Sequence, residues 1–178
     1  YLCSHNKMAD DINQKKIKEL GGRAHSYTAD VKGDFKETQY PNDEILELKI
    51  GAQIMFIRND TSPDKKYFNG KLAQISYLDE DEISVILDGS EEEITLKAET
   101  WEQKKYSLDD EKNIKEEVLG SFKQFPIRLA WAVTIHKSQG LTFDRLIIDA
   151  GKSFASGQVY VALSRCRTLE GIVLKSKI

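Results

Sequence analysis

Ala130-Trp-Ala-Val-Thr-Ile-His-Lys-Ser-Gln-Gly140 is the stretch that decides the fold. An apolar run stops abruptly in a polar cluster closed by glycine. In open α/β sheets, ligands gather at the carboxyl ends of strands, and this reads as such an end. Thr134, Ser138 and backbone amides can hold phosphate oxygens there, and Lys137 adds a point charge. Gly140 lets a ligand come close to the backbone. A helix starting near Lys137 would add the anion attraction of its free N–H groups. The plainer alternative is a strand-to-helix turn whose Ser and Thr only cap.

Downstream, Val159-Tyr-Val-Ala-Leu-Ser-Arg165 is an apolar, helix-like run that delivers one arginine at its end. Ser156 is placed to cap a helix over about residues 157–164. Arginine is the usual side chain for stabilising charge on a transferring phosphoryl group. An ordinary salt bridge is the alternative role. Leu146-Ile-Ile148 reads as a buried strand of the parallel type, and Gly171-Ile-Val-Leu174 as a last strand. Upstream, Pro126 opens an extended run to Ile135.

At the other flank, Leu2 and Cys3 end a short strand and Ser4 sits where a helix N-cap belongs. Met8, Ile12 and Leu20 fall on one face of a helix closed by Gly21-Gly22. Residues 25–30 read as a strand, and the polar stretch 34–43, with Pro41, reads as a linker. The middle is different. Gln53-Ile-Met-Phe-Ile57 is a buried strand, Asn69-Gly70 a turn, and residues 71–78 a second strand. Residues 82–87 run into Asp88-Gly89, with Glu93-Ile-Thr-Leu96 beyond, which is a strong hairpin signal. Such strands suggest a small antiparallel barrel. Ser107 and Asp110 resemble a helix start, with residues 112–119 helical. The expected architecture is an α/β domain interrupted by a β insert. Its boundaries are 1–43 for the first part, 44–106 for the insert and 107–178 for the second part.

With 178 residues, 40% of them hydrophobic and 31% charged, the chain can build a packed core. No run approaches the roughly 18 apolar residues of a membrane span, and no leader pattern opens the chain. The abrupt opening Tyr1-Leu-Cys reads as a piece of something longer, and a cytoplasmic location is expected. Cys3 and Cys166 match no metal or redox spacing and are expected to be reduced thiols. The net charge of −3 hides an asymmetry, with residues 79–117 at −10 and 118–178 at +6. A polyanion is drawn to the C-terminal third and repelled by the middle.

Several chemistries are excluded. Lys137-Ser138 echoes the end of a phosphate-binding loop, but no Gly-x-x-x-x-Gly precedes it. Asp149 follows Leu-Ile-Ile as a Mg²⁺-binding acid might, yet without that loop it has no phosphate to serve. His5 and His25 have no acid or cysteine at metal-ligand spacing in the sequence, so no metal site is assigned. No Ser-His-Asp or Cys-His arrangement is readable.

Residues 130–144 resemble the fifth helicase motif of superfamily-one DNA helicases, in the RecD-like group that includes the Pif-type enzymes. Gln158-Val-Tyr-Val-Ala-Leu-Ser-Arg-Cys-Arg-Thr-Leu-Glu-Gly171 resembles the sixth. Leu2-Cys-Ser-His-Asn-Lys with Ile12-Asn13 is similar to the start of the second motor domain. Residues 48–59 and 68–75 look like the opening of the group's inserted SH3-like barrel. The resemblance implies a RecA-like domain of the P-loop-NTPase type, lacking the loop itself and carrying that barrel.

It also implies roles. Arg165 would be an arginine finger reaching the γ-phosphate of ATP, with Gln139 and Gly140 on the nucleotide side of the cleft. Thr134, His136, Lys137 and Ser138 would couple the cleft to single-stranded DNA, and Ser4, His5 and Asn6 would touch the DNA backbone. Tyr160 and Ser164 would position the helix. ATP and Mg²⁺ would serve the parent protein, with neither held tightly by this chain. The partners would be single-stranded DNA, tracked 5′ to 3′, and a first RecA-like domain. That domain owns the phosphate loop, the Mg²⁺-binding acid and the water-positioning glutamine. The chain alone is therefore expected not to turn over ATP. The alternative is a non-enzymatic module that binds nucleic acid or protein.

Overall fold

The computed structural model describes residues 1–108, 113–149 and 156–175. Fourteen strands and two α-helices occupy these residues: β1 (Leu2–Cys3), α1 (Asn6–Glu19), β2 (His25–Thr28), β3 (Asp30–Gly33), β4 (Ile45–Leu48), β5 (Gln53–Phe56), β6 (Leu72–Leu78), β7 (Ile83–Leu87), β8 (Glu93–Leu96), β9 (Glu99–Leu108), β10 (Ile114–Gln124), β11 (Ile127–Leu129), β12 (Val133–Thr134), β13 (Leu146–Asp149), α2 (Ser156–Leu163) and β14 (Ile172–Leu174).

The flanks of the chain build one parallel sheet in the order β12-β1-β13-β14. Leu2 pairs with Val133 on one side and Ile148 on the other, and Leu146 pairs with Ile172. These strands are short and mostly apolar; β1 and β12 are wholly buried, whereas Val173 and Leu174 of β14 are exposed. Leu2, Ile135, Leu146, Ile148 and Ala162 form their core. On the other face, α1 turns Ala9, Asn13 and Ile17 inward, and Ala9 packs with Cys3 and Ala132. Both cysteines are free.

The middle of the chain is all strand. Five antiparallel strands follow the order β11-β5-β6-β7-β8. Their inward residues, among them Ile54, Phe56, Ile75, Ile83, Val85 and Ile127, make a second core. The β7–β8 hairpin turns at Asp88-Gly89, where Gly89 has φ +74. The Asn69-Gly70 turn is likewise present, with Gly70 at φ +94.

Four local expectations are corrected. The N-cap of α1 is His5 rather than Ser4, whose Oγ is buried without a hydrogen-bond partner. Residues 25–30 are two strands, because the chain leaves β4 and joins β10 at Ala29. Residues 34–43 are not a free linker: Phe35 and Tyr40 pack on buried Phe122, and Asn42 Nδ2 donates to the carbonyls of Phe125 and Ile127 at 3.1 and 2.8 Å. Residues 114–119 are not helical, and Asp110 and Lys112 lie outside the described residues. β10 pairs with β9 from Ile114↔Leu108 to Gln124↔Glu99. The cross-strand partners favour strand here: Trp101 meets Phe122 edge-on, and Lys104 pairs with Glu102 and Glu116. The junction expected at 106/107 thus falls on β9, within a hairpin. No helix among the described residues is long and apolar enough to cross a membrane.

Candidate functional site

Parallel pairing of β1 with β12 puts Cys3 opposite Thr134. The next residues on both strands therefore leave the same end of the sheet side by side. Ser4, His5 and Asn6 emerge from β1, and Ile135, His136 and Lys137 from β12. The sheet thus brings together two groups of candidate residues that lie about 130 positions apart in the chain.

The segment after β12 is a run of tight turns, and no helix begins at Lys137. The amide of Ser138 donates to the carbonyls of Thr134 and Ile135 at 3.0 and 3.2 Å, and that of Leu141 to Ser138 at 3.0 Å. The hydroxyls serve this turn. Thr134 Oγ1 accepts the Lys137 amide at 3.3 Å, and Ser138 Oγ donates to the Ile135 carbonyl at 2.7 Å. Both hydroxyls compete for local backbone groups as short polar side chains do. Ser4, Thr134 and Ser138 are all buried. The expected outward-facing hydroxyls therefore point into the structure, and the groups left at the surface are Asn6, His136, Lys137, Gln139 and Gly140. At Gly140, with φ +80, a Cβ would meet nothing within 4 Å, so the space beside it is open.

Beside this turn is a cavity of about 410 Å³ whose lining includes Asn6, Asp10, Asp43, Arg128, Thr134 and Lys137. Burial pushes the Lys137 ammonium below the usual lysine range, and the neighbouring Arg128 adds to this while Asp10 and Asp43 oppose it. Burial likewise lowers Arg128, whose Nη2 donates to the Pro41 carbonyl at 3.1 Å while its Nε is buried without a partner.

Arg165 stands just past the end of α2. Its Nε donates to the Val161 carbonyl at 3.2 Å, Nη1 to the Leu141 carbonyl at 3.4 Å and Nη2 to Ser164 Oγ at 3.0 Å. No carboxylate among the described residues lies in ion-pair range of it, whereas its neighbour Arg167 pairs with Asp144 at 3.2 Å. The salt-bridge role thus falls to Arg167. Among the described residues the guanidinium of Arg165 is held only by carbonyls and a hydroxyl, with no carboxylate to offset its charge. Its backbone is fixed too: the Phe143 amide donates to the Arg165 carbonyl at 2.8 Å, and the Arg167 amide to Phe143 at 3.1 Å. Ser164 does position the end of α2, through Oγ to the Val161 carbonyl at 2.9 Å. Tyr160 is exposed.

Two residues of this region were given no role from sequence. Asn13 is buried on α1, with Nδ2 donating to the Ala132 carbonyl and Oδ1 accepting the Ala132 amide, each at 2.9 Å. Its spacing of four from Ala9 and Ile17 was the signal, since an amide in a buried helical stripe must find partners. Arg128 had no such signal; only the fold brings it beside Lys137.

No family model matches the chain. Among known proteins it is similar to the ATP-dependent DNA helicase Pif1 of Campylobacter jejuni, 36% identical over 92% of this chain and 39% of that protein. The structure of unliganded Pif1 from Bacteroides sp. superposes with a TM-score of 0.90 at 42% identity, over 99% of this chain and 40% of that one. The Bacteroides Pif1 complex with ADP-AlF3 and ssDNA matches with a TM-score of 0.80 at 44% identity, over the same shares. The chain thus spans about two fifths of the length of these relatives. Aligned along nearly all of its own length, and sharing both their sequence and their fold, this chain belongs to the Pif1 family of helicases.

Proposed function

We infer that this chain is the second motor domain, with its inserted SH3-like barrel, of an ATP-dependent DNA helicase that moves on single-stranded DNA. The observation that carries this reading is the neighbouring exit of β1 and β12. It sets His5, Asn6, His136 and Lys137 at one end of the sheet, with Arg165 held behind the following turn without a carboxylate partner among the described residues. The division into residues 1–43, 44–106 and 107–178 belongs to the same proposal.

In this reading Asn6, His136 and Lys137 meet the DNA backbone, with His5 beside them. Ser4, Thr134 and Ser138 shape the turns that present them. Gln139 and the open face of Gly140 border the nucleotide, and Arg165 stabilises charge on its terminal phosphate. The residues fit the phosphate end of ATP in this one respect. Among the described residues no His, Cys, Asp and Glu cluster is built to hold a metal, so Mg²⁺ and the remaining phosphate contacts are assigned to the first RecA-like domain. Related Pif1 structures hold ADP-AlF4 or single-stranded DNA, which supports the assignment. When bound, ATP supplies the phosphoryl group whose transfer to water drives movement.

The test uses the full-length protein that carries this sequence. Arg165→Ala is expected to abolish DNA-stimulated ATP hydrolysis and leave single-strand affinity within twofold. Unchanged hydrolysis in this variant rejects the reading.

A further inference from the structure

We propose that the inserted barrel sets the position of Arg165, and that Leu141 is the positioning residue through which it does so. The proposal rests on the helicase reading and adds a mechanical link to it.

The link is a chain of direct contacts that starts in the barrel core. Phe56 is fully buried and stacks on Tyr67 at 3.8 Å. Its carbonyl accepts the Gly70 amide at 2.8 Å, and its own amide donates to the Lys71 carbonyl at 3.0 Å. The Asn69-Gly70 turn is therefore a fixed feature of the barrel rather than a loose tip. Asn59 Oδ1 reinforces it by accepting the Asn69 amide at 2.8 Å.

Gly70 lies directly against Leu141. A Cβ built on Gly70 would stand 2.0 Å from Leu141 Cδ2 and 3.1 Å from its Cγ. A side chain at position 70 would therefore force the Leu141 side chain to rotate away, and φ +94 independently asks for glycine. Leu141 also packs against the apolar core of the parallel sheet. It thus sits between the two bodies, with its side chain against the Gly70 turn.

From Leu141 the path to the arginine is short. The Leu141 carbonyl accepts Arg165 Nη1, and two residues on, Phe143 clasps the backbone on both sides of Cys166. A displacement of the Gly70 turn presses on the Leu141 side chain, and through it on the carbonyl that accepts Arg165 Nη1. Close-packed contacts transmit such shifts because they do not compress. DNA bound against the barrel would thereby reach the nucleotide cleft.

A misplacement of about 1 Å in a group that acts on the transition state costs up to about 100-fold in rate. In the full-length protein, Leu141→Ala is expected to lower DNA-stimulated kcat by about 10-fold or more. KM for ATP and single-strand Kd should stay within twofold, and Leu141→Met should restore most of the rate. Gly70→Ala, made from the barrel side, should give the same kcat-selective loss. Because both act on one contact, the double variant should lose little more than the worse single one. Thermal melting of each variant identifies any that fails to fold, and the conclusion is then drawn from the others. Losses that multiply in the double variant, or a kcat unchanged by Leu141→Ala, overturn the proposal. If Arg165→Ala still abolishes hydrolysis in that case, the helicase reading stands without the link. If Arg165→Ala is silent too, both fall.

Discussion

Asn13 and Ala132 face each other as two strand residues would, exchanging a pair of 2.9 Å hydrogen bonds although Asn13 is helical. The side-chain amide supplies the donor and acceptor that a neighbouring strand would have supplied. The segment entering β12 is thus tied to α1, the element that begins at Asn6. Both edges of the candidate DNA track are set by this one clasp.

Its removal should be costly. Ala132 is 2% exposed, so Asn13→Leu leaves a buried N–H and a buried C=O without partners. An orphaned buried group costs about 1–3 kcal/mol, so a loss of about 2–4 kcal/mol is expected. Urea unfolding of the isolated chain should show a lower midpoint at unchanged slope. A loss below about 0.5 kcal/mol would mean that other groups take over the bonds.

Tyr27 makes the antiparallel strand core sensitive to alkali. Burial, aided by Asp79 and Asp81, raises its hydroxyl to about 12, and that hydroxyl donates to the Asp79 carbonyl at 2.5 Å. The folded state therefore keeps the proton at a pH where the unfolded chain releases it. Stability from this group is complete below about pH 10 and is lost as pH rises towards 12. Tyr27→Phe should flatten the decline between those values, at a cost of about 1 kcal/mol at pH 7 from the lost hydrogen bond. Equal slopes for both proteins would show that Tyr27 is not the group responsible.

Charge alone should not satisfy the role given to Arg165. Its three nitrogens donate in three directions, to Val161, Leu141 and Ser164, and a lysine offers no such fork. In the full-length protein Arg165→Lys should lose about 10³-fold in hydrolysis, close to the alanine variant. A lysine variant retaining a third of the rate would show that a positive charge in the cleft is sufficient.

The parallel flanks were legible because their signals are local. Leu146-Ile-Ile148 is a pure apolar run, and Asp88-Gly89 and Asn69-Gly70 are turn dipeptides with one reading each. The β9–β10 hairpin was not legible. Residues 112–119 are charged and carry helix-forming Lys and Glu, and what makes residues 114–119 strand is pairing with β9 across a long register. Non-local pairing overrode propensity. The arginine at the end of α2 was legible from its motif, but its anchoring to Leu141 was not, because the Gly70 contact joins segments 71 residues apart. The inward turn of Thr134 and Ser138 was one of two readings left open for a related reason: a Ser or Thr looks the same in sequence whether it serves a ligand or its own backbone.

Single-strand binding gives the last test, because it separates the basic third from the acidic middle. Each phosphate neutralised contributes about 0.7 to the slope of log K against log salt for a single strand. Lys137→Ala should therefore reduce that slope by about 0.7, and adding His136→Ala should weaken affinity further. Glu80→Gln with Asp81→Asn, two exposed acids of the middle, should leave binding unchanged or tighten it. The pH profile is distinctive as well. Burial and Arg128 push Lys137 below the usual lysine range, so its charge is present at low pH and is lost before that of a free lysine as pH rises. Affinity should begin to fall at a pH below that at which surface lysines titrate, and Lys137→Arg should abolish this early decline. Fluorescence anisotropy of the chain with a labelled single strand at low and moderate salt measures all of these. A slope unchanged by Lys137→Ala, together with weaker binding after the acids are neutralised, would move the DNA track from the β12 turn to the antiparallel middle of the chain.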